Sequence, residues 1–186
     1  MNCRPTPQNT AHYRFPMAGW RSPGASPAIG RLHALGHTHD VLSESGWREA
    51  GLQELIFAEL SPHGIGDGAL QISGPPVRLK PQAALFITLA LHELSTNAAK
   101  YGALSVSSGR ISVRWHRVAS SARSPELLKI EWRESGGPRV VAPVRRGFGS
   151  LFVEASIAAD LQGTSTIAFE AEGVRCTMEL PCEVLA

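Results

Sequence analysis

Leu85-Phe-Ile-Thr-Leu-Ala-Leu-His-Glu-Leu-Ser-Thr-Asn-Ala-Ala-Lys-Tyr101 is the stretch that decides how this chain reads. Pro81 stands just ahead of it, where a first helical turn tolerates proline, and Gly102 follows it, where helices commonly stop. Between them are mostly good helix formers and no further glycine or proline, so a helix is predicted. At about 100° per residue, Glu93, Asn97 and Lys100 share one narrow face with Thr96 at its margin, while Ile87, Ala90, Leu91, Leu94 and Ala98 make a separate apolar face. One side is therefore expected in a core, and the other lines up a carboxylate, an amide and an ammonium. Oxygens so placed suit a hydrated Mg²⁺, which takes few protein ligands, and an ammonium suits phosphate. The same three residues also suit the wet side of an ordinary amphipathic helix, so the choice rests on the rest of the chain.

The 186 residues allow one domain with an appendage, or two small units, and can bury a core without disulfide or metal staples. An apolar fraction of 43% with 18% charged residues is that of a soluble globular protein, and 13 prolines with 18 glycines imply many turns. A formal net charge of +2, dispersed along the chain, does not make a nucleic-acid surface. No apolar run approaches the roughly 18 residues of a membrane span, and the N-terminus lacks a charged-then-apolar signal pattern. Cys3, Cys176 and Cys182 are odd in number and lack metal or redox spacing; free thiols in a reducing cytoplasm are expected.

Residues 1–30 carry Pro5, Pro7, Pro16, Pro23 and Pro27 without a sustained apolar period and are expected to be disordered or loosely attached. Leu32, Leu35 and Leu42 mark a short helix weakened by Gly36; apart from Asp40, its His33, His37 and His39 have no carboxylate or cysteine at ligand spacing, so exposed or packed histidines are expected. A second amphipathic helix covers 51–60 and ends at Ser61-Pro62, and short extended pieces at 69–73 and 76–79 flank Pro75-Pro76. Alternating runs at 110–118 and 127–134 predict antiparallel strands, 150–161 a helix, and 165–170 with 174–180 a hairpin turning at Glu172-Gly173. Helices and strands alternate in blocks, so a mixed sheet with helices on one face is expected.

Two turns add chemistry. Trp132-Arg-Glu-Ser-Gly-Gly-Pro138 sets a carboxylate at a strand end, able to accept from a purine amine, followed by two residues that permit close backbone approach. Arg145-Arg-Gly-Phe-Gly-Ser150 places two glycines before a helix N-terminus, where backbone N–H groups and the helix dipole favour phosphate. Either turn alone is a weak signal.

The order of the three features resembles the α+β, two-layer α/β sandwich shared by histidine kinases, gyrase and heat-shock-protein ATPases. His92-Glu-Leu-Ser-Thr-Asn-Ala-Ala-Lys-Tyr-Gly-Ala-Leu104 with Trp132-Arg-Glu134 resembles the HWE family of bacterial histidine kinases, named for such a histidine and Trp-x-Glu. The resemblance spans residues 31–181. It implies ATP and Mg²⁺ as cofactors and transfer of the γ-phosphoryl group to a protein histidine in two-component signalling. By resemblance Asn97 coordinates Mg²⁺ with Glu93, which also acts as base or positions a water, and Lys100 contacts phosphate. Glu134 reads adenine, Gly136 and Gly137 let the backbone pass the base, and Gly147 and Gly149 form a flexible lid. Tyr101 and Phe148 complete the implied nucleotide contacts. His92 and Trp132 mark the family without an assigned chemical role, and a core position is open for both.

The family's phosphoacceptor helix has no counterpart here. Residues 31–42 resemble the second helix of the dimerisation unit, while the segment around His12 lacks the acceptor pattern and is broken by Pro16. The expected organisation is a loose segment at 1–30, a helical remnant of a dimerisation module at 31–60 and an ATP-binding catalytic domain at 61–186. The expected partners are a histidine-bearing protein or response-regulator receiver domain, with a homodimer open and no nucleic acid or membrane span. Two rivals remain: a serine kinase of the same fold, as in anti-sigma factors, and a non-catalytic phosphotransfer or interaction module.

Overall fold

The computed structural model describes Gly36 and residues 49–63, 68–119, 126–140 and 148–186, with 148–152 described by backbone only. The expectations for residues 1–30, for His33, His37 and His39, and for Gly147 lie outside the described residues. Strand β1 (Ala50–Gly51) leads directly into helix α1 (Leu52–Leu60), which a 3-10 turn at Ser61–His63 ends. Strands β2 (Leu70–Ser73) and β3 (Arg78–Leu79) precede helix α2 (Pro81–Tyr101). Strands β4 (Arg110–Val118) and β5 (Leu127–Ser135), helix α3 (Phe148–Leu161) and strands β6 (Thr164–Glu170) and β7 (Gly173–Pro181) complete the order.

The main sheet runs β2-β4-β5-β7-β6, with β2 parallel to β4 and the other neighbours antiparallel. A period of two sends alternate residues to opposite faces. Ile111, Val113 and Trp115 on β4, Leu128, Ile130 and Trp132 on β5, and Cys176, Met178 and Leu180 on β7 turn inward and are buried. Their registers align across strands: Val113 pairs with Trp132 and Trp132 with Cys176, while Trp115 pairs with Ile130 and Ile130 with Met178. The other face carries Arg114 and Arg133, both exposed, and Lys129, whose Nζ lies 3.5 Å from Glu131 and 3.8 Å from Glu179. The helices α1, α2 and α3 lie on the apolar face: among the described residues the α+β two-layer sandwich with a mixed sheet and one-sided helices is the observed architecture.

Helical periodicity accounts for the covering layer. On α2, Ile87, Ala90, Leu91, Leu94 and Ala98 are buried as their spacing demands. Val153, Ile157 and Leu161 form the inward stripe of α3, which ends where Gln162 takes φ 52° and Gly163 N–H donates to Ile157 O at 3.0 Å. On α1, Leu52, Leu55, Ile56 and Leu60 are buried in the same core as the sheet residues. Leu52 N–H donates to Val77 O at 3.0 Å, and β1 pairs with β3, so residues 49–60 are built into the same body as the described residues after 68. Among the described residues no helix is long and apolar enough to cross a membrane.

Candidate active site

The outer face of α2 presents Glu93 half-buried and Asn97 and Lys100 exposed, one helical turn after another. Tyr101 closes the helix with 75% of its surface exposed. Gly102 N–H caps the end, donating to Asn97 O at 3.2 Å and Ala98 O at 3.0 Å. The next backbone group, Ala103 N–H, escapes the helical ladder and donates 2.8 Å to Glu134 Oε2. The helix that carries the three polar residues therefore ends on the carboxylate at the end of β5.

Glu134 is 3% exposed, on the inward face that the strand period assigns to Leu128, Ile130 and Trp132. Its Oε1 accepts from Trp132 Nε1–H at 3.3 Å. Burial pushes its carboxyl above the ordinary value, while the bonds from Ala103 and Trp132 pull in the opposite direction. A Cβ on Gly102 would run into Glu134 Oε2, so a side chain there would displace the carboxylate from this position.

Past Glu134 the chain turns at Gly136, which takes φ +67°. A Cβ on Gly137 would fall 2.8 Å from Ala103 Cα, and Ser108 Oγ–H donates to Gly136 O at 2.8 Å. The close approach these two glycines make is to the backbone of 102–109, so the turn after β5 and the loop after α2 seat each other. Phe148 and Gly149 stand in the first turn of α3, which begins two residues before the expected start.

Sequence reasoning missed two contacts. Trp132 is fully buried, and its indole N–H is directed at Glu134 two positions along. The signal was available, since residues i and i+2 of a strand share a face. His92 turns away from the Glu93/Asn97 face and sets Nδ1 3.0 Å from Oε2 of Glu59 on α1. No local pattern joins positions 33 residues apart.

Comparison with known proteins places the fold and the sequence. Residues 25–76 match the family model described as HWE histidine kinase. The chain is 33% identical over 145 residues to a blue-light-activated histidine kinase of Brucella ovis, an alignment covering 77% of this chain and 29% of that protein. It is 32% identical over 151 residues to a blue-light-activated histidine kinase of Rhizobium johnstonii, covering 81% of this chain and 42% of that one. The chain thus spans less than half the length of either relative. Among solved structures, the histidine kinase domain of the Erythrobacter litoralis EL346 blue-light activated kinase superposes with a TM-score of 0.61 at 19% identity, covering 86% of this chain and 76% of that one. The catalytic domain of the histidine kinase ThkA gives 0.50 at 17% identity over 72% of this chain and 94% of its own. The chain has the fold of a histidine kinase catalytic domain, and its sequence is similar to blue-light-activated histidine kinases and, over residues 25–76, to the HWE histidine kinases.

Proposed function

We propose that this chain is the ATP-dependent catalytic part of a protein histidine kinase in a two-component system, transferring the γ-phosphoryl group to a histidine on another chain. One observation carries the reading: the helix bearing Glu93, Asn97 and Lys100 ends on the buried, doubly bonded carboxylate of Glu134. A polyphosphate laid along that helix face would have its base end at Glu134.

The residues fit a magnesium nucleotide. Mg²⁺ is held by one or two protein oxygens plus phosphate oxygens and water, and the half-buried Glu93 and exposed Asn97, one turn apart, are such a pair. Bound there, the ion would neutralise phosphate charge. Lys100, exposed one turn further, would meet the phosphates as a point charge. Glu134 would accept from the adenine amine, the turn at Gly136 and Gly137 and the exposed Tyr101 would border the base, and Gly147, Phe148 and Gly149 would form the lid beside the phosphates. Catalysis in this arrangement is positioning and charge stabilisation, with Glu93 placed to take the proton or orient the attacking group. Residues 61–186 with the packed-in 49–60 would make the catalytic domain and 31–48 the rest of a helical module. A cytoplasmic setting, homodimerisation and a receiver-domain partner follow from the same reading.

The test is phosphotransfer. The protein is incubated with labelled Mg-ATP and a dimerisation module bearing an acceptor histidine. Label on that module that survives alkali and is lost in acid is the expected result. Acid-stable label would indicate a serine kinase, and failure to bind ATP would leave a non-catalytic module.

A further inference from the structure

We infer that Trp132 is a positioning residue for base recognition, its indole N–H holding the Glu134 carboxylate in a single orientation; this rests on Glu134 reading the base, as proposed above. Residues 132 and 134 share the inward face of β5, roughly 7 Å apart at the backbone. A tryptophan laid along the strand spans that gap, and its Nε1 comes within 3.3 Å of Glu134 Oε1. The other oxygen, Oε2, accepts from Ala103 N–H at 2.8 Å.

These two anchors come from different directions. The terminal torsion of a glutamate is broad and roughly two-fold, so a carboxylate held by one oxygen can still pivot. Donors on both oxygens, one from β5 and one from the end of α2, fix its plane. A carboxylate offers about four acceptor positions, so two bonds leave others free for an amine. Gly102 preserves the second anchor, since any Cβ there would strike Oε2.

Core packing alone accounts for Trp132 being fully buried, but packing does not require its N–H to meet a carboxylate that is 3% exposed. A phenylalanine would fill most of the space without a donor. A purely structural role predicts that Trp132→Phe lowers stability and leaves base preference alone. A positioning role predicts that the preference itself falls.

Affinities of wild type and Trp132→Phe for ATP and for inosine triphosphate, which carries an oxygen where adenine has its amine, separate the two. We expect the ATP-over-inosine preference to fall about tenfold in Trp132→Phe, the usual effect of losing a hydrogen bond to a charged group. In wild-type protein the indole N–H resonance of Trp132, identified by its absence from Trp132→Phe, should shift as Glu134 titrates and stop shifting in Glu134→Gln. That measurement needs only wild type and Glu134→Gln if Trp132→Phe does not fold, with the resonance then assigned through its neighbours. An unchanged base preference in folded Trp132→Phe, or an indole resonance indifferent to Glu134, overturns the inference alone. Wild type that does not distinguish the two nucleotides overturns the base-reading role of Glu134 and the positioning role with it.

Discussion

The Glu59 carboxylate on α1 and the His92 ring on α2 meet with Oε2 3.0 Å from Nδ1, and the Glu59 side chain is only 5% exposed. The contact joins the two helices one residue before Glu93. Removing the ring strands a buried carboxylate without its partner, which costs more than the net worth of the bond. His92→Ala is expected to destabilise the protein by about 1 to 3 kcal/mol in urea titration, with Glu59→Gln costing less because an amide can still bond the ring. Combining Glu59→Ala with His92→Ala should cost clearly less than the two single losses added together. Strict additivity would mean that the contact contributes nothing.

His63 stands at the end of the same helix, in the 3-10 turn. Its pKa lies below 6.5, chiefly through desolvation, then through the neighbouring His92, with Glu59 opposing both. A histidine depressed in the folded state stays neutral while the unfolded chain binds its proton. Stability from this group is therefore intact above 6.5 and is lost as pH falls from 6.5 through the folded value. His63→Gln should flatten the decline in melting temperature over that acidic interval. A decline as steep as that of wild type would place its origin elsewhere.

What the sequence made legible follows physical periodicity. The strands at 110–118 and 127–135 and the helix ending at Tyr101 could be read because one face of each is apolar at a fixed repeat. The parallel pairing of β2 with β4 was not legible, since a strand of four residues carries too little pattern to name its partner or register. Nor was the inclusion of α1 in the main core: its apolar stripe at Leu52, Leu55, Ile56 and Leu60 shows that something covers it, but not what. At the candidate site, Glu93, Asn97 and Lys100 were visible because helical spacing groups them. The bond from Ala103 to Glu134 joins elements 31 residues apart and needed the fold.

Asn97 is exposed on α2, so its replacement removes no core contact. Asn97→Ala is therefore expected to melt within about 0.5 kcal/mol of wild type, as exposed substitutions do. Its affinity for Mg-ATP should fall by more than tenfold, with a smaller loss for ATP in a chelator. Calorimetry on both proteins with and without Mg²⁺ checks this. Equal affinity in all four titrations would remove Asn97 from the site.

The Glu134 carboxyl sits above its ordinary 4.5 because it is buried. A raised carboxyl contributes stability that is complete below 4.5 and is lost as pH rises through the folded value. Wild type should therefore lose ground against Glu134→Gln as pH rises above 4.5. An adenine amine donating to the ionised form would draw the pKa back down, so ATP binding should release protons in the pH range where the free protein's Glu134 still holds its proton. Calorimetry in two buffers of different ionisation enthalpy reads that release directly. Buffer-dependent enthalpies no larger in wild type than in Glu134→Gln across the pH range in which the free carboxyl titrates would show that the base does not reach this group.

Incubated alone with Mg-ATP, this chain is expected to acquire no phosphohistidine. The imidazole must reach the γ-phosphorus in line, and holding it there is most of the catalytic task. Among the described histidines, His92 is already held by Glu59, and His116 lies exposed on the sheet face opposite the helices. His63 is half-buried in the turn after α1. His12 belongs to a proline-bounded segment with no helical period, and His33, His37 and His39 fall where the family's second, non-acceptor helix is expected. The measurement is labelled ATP followed by division of the sample between acid and alkali, with Asn97→Ala as the background. Alkali-stable, acid-labile label above that background, removed by His12→Ala or His39→Ala, would place the acceptor on this chain. Label equal to background in wild type, with transfer restored by adding a separate histidine-bearing module, is the outcome expected.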